Sequence, residues 1–347
     1  ACGAALLALS LAALCYALFA DAVMAGLAPG LSPQARGFGA DMARLLAPVA
    51  VAGGLTGILR AMLHAEGRFL VPAWLPVVQN LCVIGMILAL GPLVGVASMA
   101  WALLLSCVLQ AAMLYAPLAR EGRAPRPSLD FADPGLKRMG ALMAPVLATF
   151  ALGNVIPLLE VHLASDVASG AISHLSYAYR LFTLPEQVFA LTLSAVLFPY
   201  LARDAGAGDR EAMAAKLSAG LRACLYLTAP MGAFLAVFGE ETVRLFLGRG
   251  AFGPEAVAGT GLVLAAYAGG LFAVCARNLL VDACFALTSP GIILKVAAAM
   301  IPVNAALDVW LCGLLGTPGL ALGFSLTAVL HCLALGLALG PRLHGLD

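Results

Sequence analysis

Charge is what this chain has least of. Only 11% of its 347 residues are Asp, Glu, Lys or Arg, against about 25% in a soluble domain. Aromatic residues are few as well, at 7%, and the net charge is +1. A chain so poor in charge has no field to steer a polyanion, which excludes a nucleic-acid binder. The nine cysteines show no CxxC or CxxxC spacing, so they read as small packing residues and not as a disulfide or zinc framework. Paired acids, Ser/His/Asp sets and metal-spaced histidines are all missing, so the reading is of a non-enzyme. What is present is apolar: 63% hydrophobic residues, with a mean hydropathy of +1.00. No soluble core absorbs that excess, and the chain reads as a membrane protein. Ala1 stands inside an apolar run without Met or a charged leader, and the start reads as truncated.

Apolar stretches broken by charge or Pro/Gly clusters give ten candidate spans, near 3–27, 42–64, 70–92, 94–118, 139–163, 173–201, 215–238, 256–280, 289–311 and 317–340. They are continuously apolar, without the alternation of a lipid-embedded barrel, so helices must satisfy the backbone. The expected fold is all-α, a polytopic transmembrane bundle. Alternate connections differ in Lys and Arg. One set holds Arg60, Arg68, Arg120, Arg123, Arg126, Lys137, Arg138, Arg203, Arg210, Lys216, Arg277 and Arg342; the other holds Arg36, Arg44, Arg244 and Arg249. The richer set belongs in the cytoplasm, which places both chain ends there. Segments 28–41 and 239–255 read as short amphipathic pieces on the outer face.

A short internal repeat sets the domain reading. Ala52-Gly53-Gly54-Leu55, Arg60 and Pro72 recur as Ala268-Gly269-Gly270-Leu271, Arg277 and Pro290. Six helices separate the copies, so the unit is six helices and both copies run in the same direction, as in many transporters. The expected organisation is an N-lobe over 1–118 with four of six helices, a cytoplasmic linker over 119–138, and a complete six-helix C-lobe over 139–347. The first two helices of the N-lobe are then absent.

Ionisable groups within the spans need a partner or a water-filled cavity. Arg180 lies two turns into the sixth candidate helix, where a guanidinium suits the oxygens of a phosphate, or else forms a structural ion pair. Glu160 lies deep in the fifth. Asn304 and Asp308, four apart on the ninth, share one face. Together with a carbonyl freed by Pro302, these groups form an oxygen-rich set that suits a small cation or a shared proton, unless they face separate water pockets or pair with arginines. Lys295 and Asp282 read as anchors near a membrane face.

Three ordered strings then resemble the MviN/MurJ family of lipid II flippases, within the multidrug/oligosaccharidyl-lipid/polysaccharide exporter superfamily. The first is Leu63-x-Ala65-x-Gly67-Arg68-Phe69-x-x-Pro72-Ala73-x-x-Pro76-x-x-x-Asn80. The second is Leu175-Ser176-Tyr177-Ala178-Tyr179-Arg180-Leu181 with Leu184-Pro185, closing at Phe198-Pro199-Tyr200-Leu201-Ala202-Arg203. The third is Leu245-Phe246-x-x-Gly250-Ala251-Phe252. The resemblance implies twelve core helices in two pseudo-symmetric lobes, about ten of them present here. It implies lipid II as cargo, moved from the inner to the outer leaflet of the bacterial inner membrane by alternating access, with the lipid bilayer as the other partner and a monomer as the working form. Arg180 falls on the family's cavity arginine. Glu160, Asn304 and Asp308 fall on a sodium site described in some members. The threonine of that site falls on Phe324, with Ser325 adjacent. The acid that commonly precedes the cavity arginine is Tyr179 here, and an acid one turn later is Thr183. A polysaccharide-unit flippase or cation-coupled drug antiporter of the same superfamily, and outside transport a membrane scaffold or embedded transferase, are the alternative readings.

Overall fold

The computed structural model describes residues 2–123 and 134–343. Among them there is no strand, and helices account for nearly every residue. Eight helices are long and apolar enough to cross a membrane, or ten spans if each of two bent pairs counts as one. The chain divides into two compact units, Ala1–Gly153 and Asn154–Asp347. This boundary lies beyond the expected linker, whose residues 124–133, including Arg126, are outside the described residues.

In the first unit α1 (Cys2–Leu18) is followed by the short α2 (Ala20–Leu27) across a 69° bend. The expected single helix over 3–27 is therefore two. Next comes α3 (Pro33–Ala65), which starts where Ser32 caps the Ala35 amide at 3.2 Å and Pro33 takes the first turn. Residues 28–41 thus do not form a separate amphipathic piece, because most of them already belong to α3. The short helix is α2, seated on α3 through Ala20 against Ala40 and Ala43 and fixed by an Asp21–Arg44 ion pair.

A single turn, α4 (Leu70–Ala73), leads into α5 (Leu75–Val94), which forms a hairpin with α6 (Ala97–Arg120). Gly95 makes that turn with φ 59°, a conformation open to glycine and strained for other residues. Leu59, Leu63, Leu75, Leu114 and Leu118 form the core between α3, α5 and α6. In the α3–α4 connection Arg68 pairs with Glu121 at 2.7 Å, and this contact holds the guanidinium pKa above its usual value. The next helix, α7 (Pro134–Val167), carries the boundary between the two units.

The second unit continues with α8 (Ala171–Gly206) and α9 (Arg210–Val237), the latter capped by Asp209 on the Ala212 amide at 2.9 Å. Lys216 and Asp204 tie this pair together. The short α10 (Gly239–Leu247) covers part of the expected amphipathic segment 239–255. After it, α11 (Pro254–Ala268) and α12 (Leu271–Ala286) meet at a 43° bend over Gly269–Gly270. The expected helix 256–280 is thus broken, and it runs on to a turn at Thr288 before Pro290. Arg277 therefore does not lie in a connection; it is half-buried in the middle of α12. Last comes the hairpin α13 (Pro290–Leu315) and α14 (Thr317–Leu343). Gly316 turns it with φ 66°, as Gly95 turns the corresponding hairpin of the first unit. A short helix, α2 in the first unit and α10 in the second, precedes in each case a longer segment and then a closing hairpin, that segment being the unbroken α3 in one and the bent α11–α12 pair in the other.

Leucines that a water-facing surface would not carry stand outward: Leu88 is 74% exposed and Leu93 and Leu337 are 78%. Hydroxyls such as those of Ser106, Thr228 and Thr260 are buried instead. Polar groups inside and leucine outside is the arrangement that lipid requires.

Candidate functional site

All four expected site residues lie in or at the start of the second unit's helices: Glu160 on α7, Arg180 on α8, and Asn304 and Asp308 on α13. The structure joins three of them and leaves one apart.

Asp308 is completely buried and Asn304 nearly so. With the Asn304 amide nitrogen turned toward it, the Asp308 carboxylate accepts two hydrogen bonds, at 3.0 and 2.8 Å. Turned the other way, the amide oxygen faces the two carboxylate oxygens, an arrangement that only a positive charge between them makes favourable. The same four-residue spacing can thus satisfy the acid or join it in holding a cation. Glu160 is half-buried and close enough for its charge and that of Asp308 to repel.

The neighbouring helix is shaped for this acid. Gly323 of α14 abuts Asp308, and a methyl group there would collide with the carboxylate. Gly319, one turn earlier, lies against the Leu311 backbone, so the two helices touch without side chains between them. Thr327 lies one turn beyond Gly323 on the same face. Its side chain is thus a buried hydroxyl of α14 left without a partner among the described residues.

Neither residue expected on α14 offers such a group. Phe324 belongs to an aromatic cluster, its ring 5.4 Å from Tyr267 and 6.0 Å from Tyr179. Ser325 donates to the Ala266 and Tyr267 carbonyls at 2.8 and 3.2 Å; the Gly270 amide bonds the Tyr267 carbonyl at 2.9 Å in place of Ala266, so the Ala266 carbonyl is the one that the α11–α12 break releases. Phe182 completes the cluster, 5.6 Å from Tyr267. These rings stand between α8, α11 and α14, and both tyrosines lie within electrostatic reach of Glu160.

Arg180 is not part of that set. It stands on an exposed stripe of α8 formed by Ser173, Tyr177, Arg180, Leu184, Val188 and Leu191, at the three- and four-residue steps of one helix face. It makes no ion pair among the described residues, and Thr183, at the position of a family acid, turns its hydroxyl to the Arg180 carbonyl at 3.0 Å. The structural ion pair weighed from the sequence is therefore absent there. Composition did not single out a second polar group in this unit, Arg277 with Glu186 of α8 and His331 of α14 inside its electrostatic field. The internal repeat was the one signal that pointed to Arg277.

A bundle with lipid-facing leucines, a broken helix beside a buried Asp308 and an unpaired arginine on an exposed stripe is a multi-pass membrane protein. The family model described as "Lipid II flippase MurJ" matches residues 1–347, and the chain belongs to that family. It is 27% identical over 328 residues to the lipid II flippase MurJ of Burkholderia cenocepacia, covering 92% of this chain and 64% of that protein. To the probable lipid II flippase MurJ of Rhizobium tropici it is 26% identical, covering 92% of this chain and 61% of the relative. The chain thus spans less than two thirds of these relatives' length. In fold it is similar to a solved "Lipid II flippase MurJ, inward closed conformation", with a TM-score of 0.85 at 20% identity over 96% of this chain and 70% of that one. It is also similar to an inward-facing multidrug resistance MATE family transporter of the MOP superfamily, with a TM-score of 0.81 at 15% identity over 98% and 79%.

Proposed function

We propose that this chain acts in a lipid II flippase, which moves the lipid-linked peptidoglycan precursor from the inner to the outer leaflet of the bacterial cytoplasmic membrane. The observation that carries the reading is the Arg180 guanidinium, exposed on α8 with no acid partner among the described residues. An arginine held among leucines is costly in lipid unless an anion or water meets it. Its planar fork matches a pyrophosphate, and cancelling that charge lowers the cost of moving the headgroup through a low-dielectric region. In this reading the working protein is a monomer of two six-helix lobes with both chain ends in the cytoplasm, and it alternates access between the two leaflets.

Glu160, Asn304, Asp308 and Thr327 would hold a small cation, sodium or a shared proton. Two carboxylates, an amide oxygen and an unpartnered hydroxyl are hard oxygen donors that fit such an ion. When bound, it supplies the positive charge that the buried Asp308 needs. The residues themselves then link α7, α13 and α14, and the ring cluster connects that joint to α8 beside Arg180. A cation-coupled antiporter is the second reading, favoured by the likeness to the MATE fold. An unpaired arginine suits an anionic cargo better than a cationic drug. Growth of a flippase-depleted bacterium carrying the parent gene tests the assignment: Arg180→Ala should abolish rescue while membrane insertion stays normal, and unimpaired rescue would remove Arg180 from the cargo route.

A further inference from the structure

The string around Pro72 and Pro76, prominent in the sequence, has no part in the site described above. It borders a cavity of about 290 Å³ inside the first unit, between α3, α5 and α6. Thr56 and Arg60 line it from α3, Gln79 from α5, and Cys107 and Gln110 from α6. The Thr56 hydroxyl is already committed to the Ala52 carbonyl at 2.8 Å. Arg60 makes no ion pair among the described residues, and no acid lines the cavity. Gln110 is buried, and no hydrogen bond of its side chain is found among the described residues. Arg60 and Gln79 stand at the exposed rim. The cavity therefore collects one permanent cation and two carboxamides, all able to donate, with no negative charge to answer them. It lies within apolar spans, where such a cation calls for an anion or water. Arg60 is five residues from the end of α3, on the side that carries Arg68, Arg120 and Arg123.

The geometry points to a binding site for a phosphate-ester headgroup of a membrane lipid, with the phosphate oxygens on Arg60, the amides of Gln79 and Gln110 on the flanking oxygens, and the tail left in the bilayer. The volume admits a phosphate group with its ester link. The site is in a different unit from Arg180 and stands whether or not the flippase reading does. The bound lipid is an anionic glycerophospholipid or an isoprenoid phosphate; phosphatidylcholine, whose choline brings a second cation beside Arg60, is the reference that does not fill the site.

Cys107 is a built-in reporter, a half-buried free thiol in the lining. The full chain is reconstituted in vesicles of phosphatidylcholine alone, with 20 mol% phosphatidylglycerol, or with 2 mol% undecaprenyl diphosphate, where both fractions are on the order of those that saturate a low-affinity lipid site. Maleimide modification of Cys107 is followed by peptide mass spectrometry, with exposed Cys15 of the same chain as the internal control. Occupancy should slow Cys107 about threefold or more relative to Cys15, and Arg60→Ala or the rim variant Gln79→Leu should remove the slowing. Slowing by phosphatidylglycerol identifies a glycerophospholipid, and slowing by the diphosphate alone identifies an isoprenoid phosphate. Equal Cys107 rates in all three vesicles, or a slowing that survives in both variants, would overturn the assignment.

Discussion

Asp308 and Gly323 show how a single atom decides what this site can hold. The acid is completely buried, and the space for its oxygens exists because α14 has no side chain at that point. Gly323→Ala should cost about 1–3 kcal/mol by overpacking, read as a fall in the thermal midpoint in detergent. The partners of the acid make a second expectation. If a cation is held there, sodium should raise the midpoint of the unaltered chain over that in choline, because a ligand of the folded state stabilises it by mass action. Asp308→Ala and Thr327→Val should each abolish that rise. A sodium response intact in Asp308→Ala would dismiss the site. Ser325 has a different task, and Ser325→Ala should cost about 1 kcal/mol by stranding the Ala266 carbonyl while leaving the sodium response unchanged. The spacing of Asn304 and Asp308 made their shared face legible in the sequence. The unpartnered hydroxyl of Thr327 is not legible there, because it depends on which face of α14 meets α13, and two glycines in a glycine-rich chain do not announce that contact.

Elements show the same division. Helix existence could be read from hydropathy alone, since a run of about 20 apolar residues leaves the backbone no other solution in lipid. Breaks could not. The bend at Phe19 carries no proline, and the one at Gly269–Gly270 has a sequence twin at Gly53–Gly54 that stays inside the unbroken α3. What differs is the neighbour: Gly270 lies directly against Ser325, whose hydroxyl donates to the Ala266 carbonyl that the bend releases. Gly270→Val should therefore push α12 from α14, lowering both the thermal midpoint and the yield of folded protein. Gly53→Val has open space and should be mild. Arg277 was misplaced for a related reason. In hydropathy alone a charge marks the end of a span, whereas a nearby Glu186 lets an arginine remain inside one.

At the scale of the molecule, composition alone points to the membrane, whereas the division into units at Gly153–Asn154 lies beyond the linker read from charge and proline. The turns at Gly95 and Gly316, with φ 59° and 66°, repeat the same geometry in two halves whose sequences match only in short strings. If the arginine-rich connections face the cytoplasm, a fluorescent reporter fused at the C-terminus should glow there, and a dark reporter would reverse that orientation. The central claim, that an unpaired arginine on α8 carries the phosphates of a lipid headgroup, meets its most direct test in cells stripped of their own flippase. There the share of lipid II open to an enzyme added outside can be measured. The parent protein should restore that share, Arg180→Ala should hold it at or near the depleted level, and Arg180→Lys should recover part of it. Outer-leaflet lipid II at the parent level in Arg180→Ala cells would contradict the account.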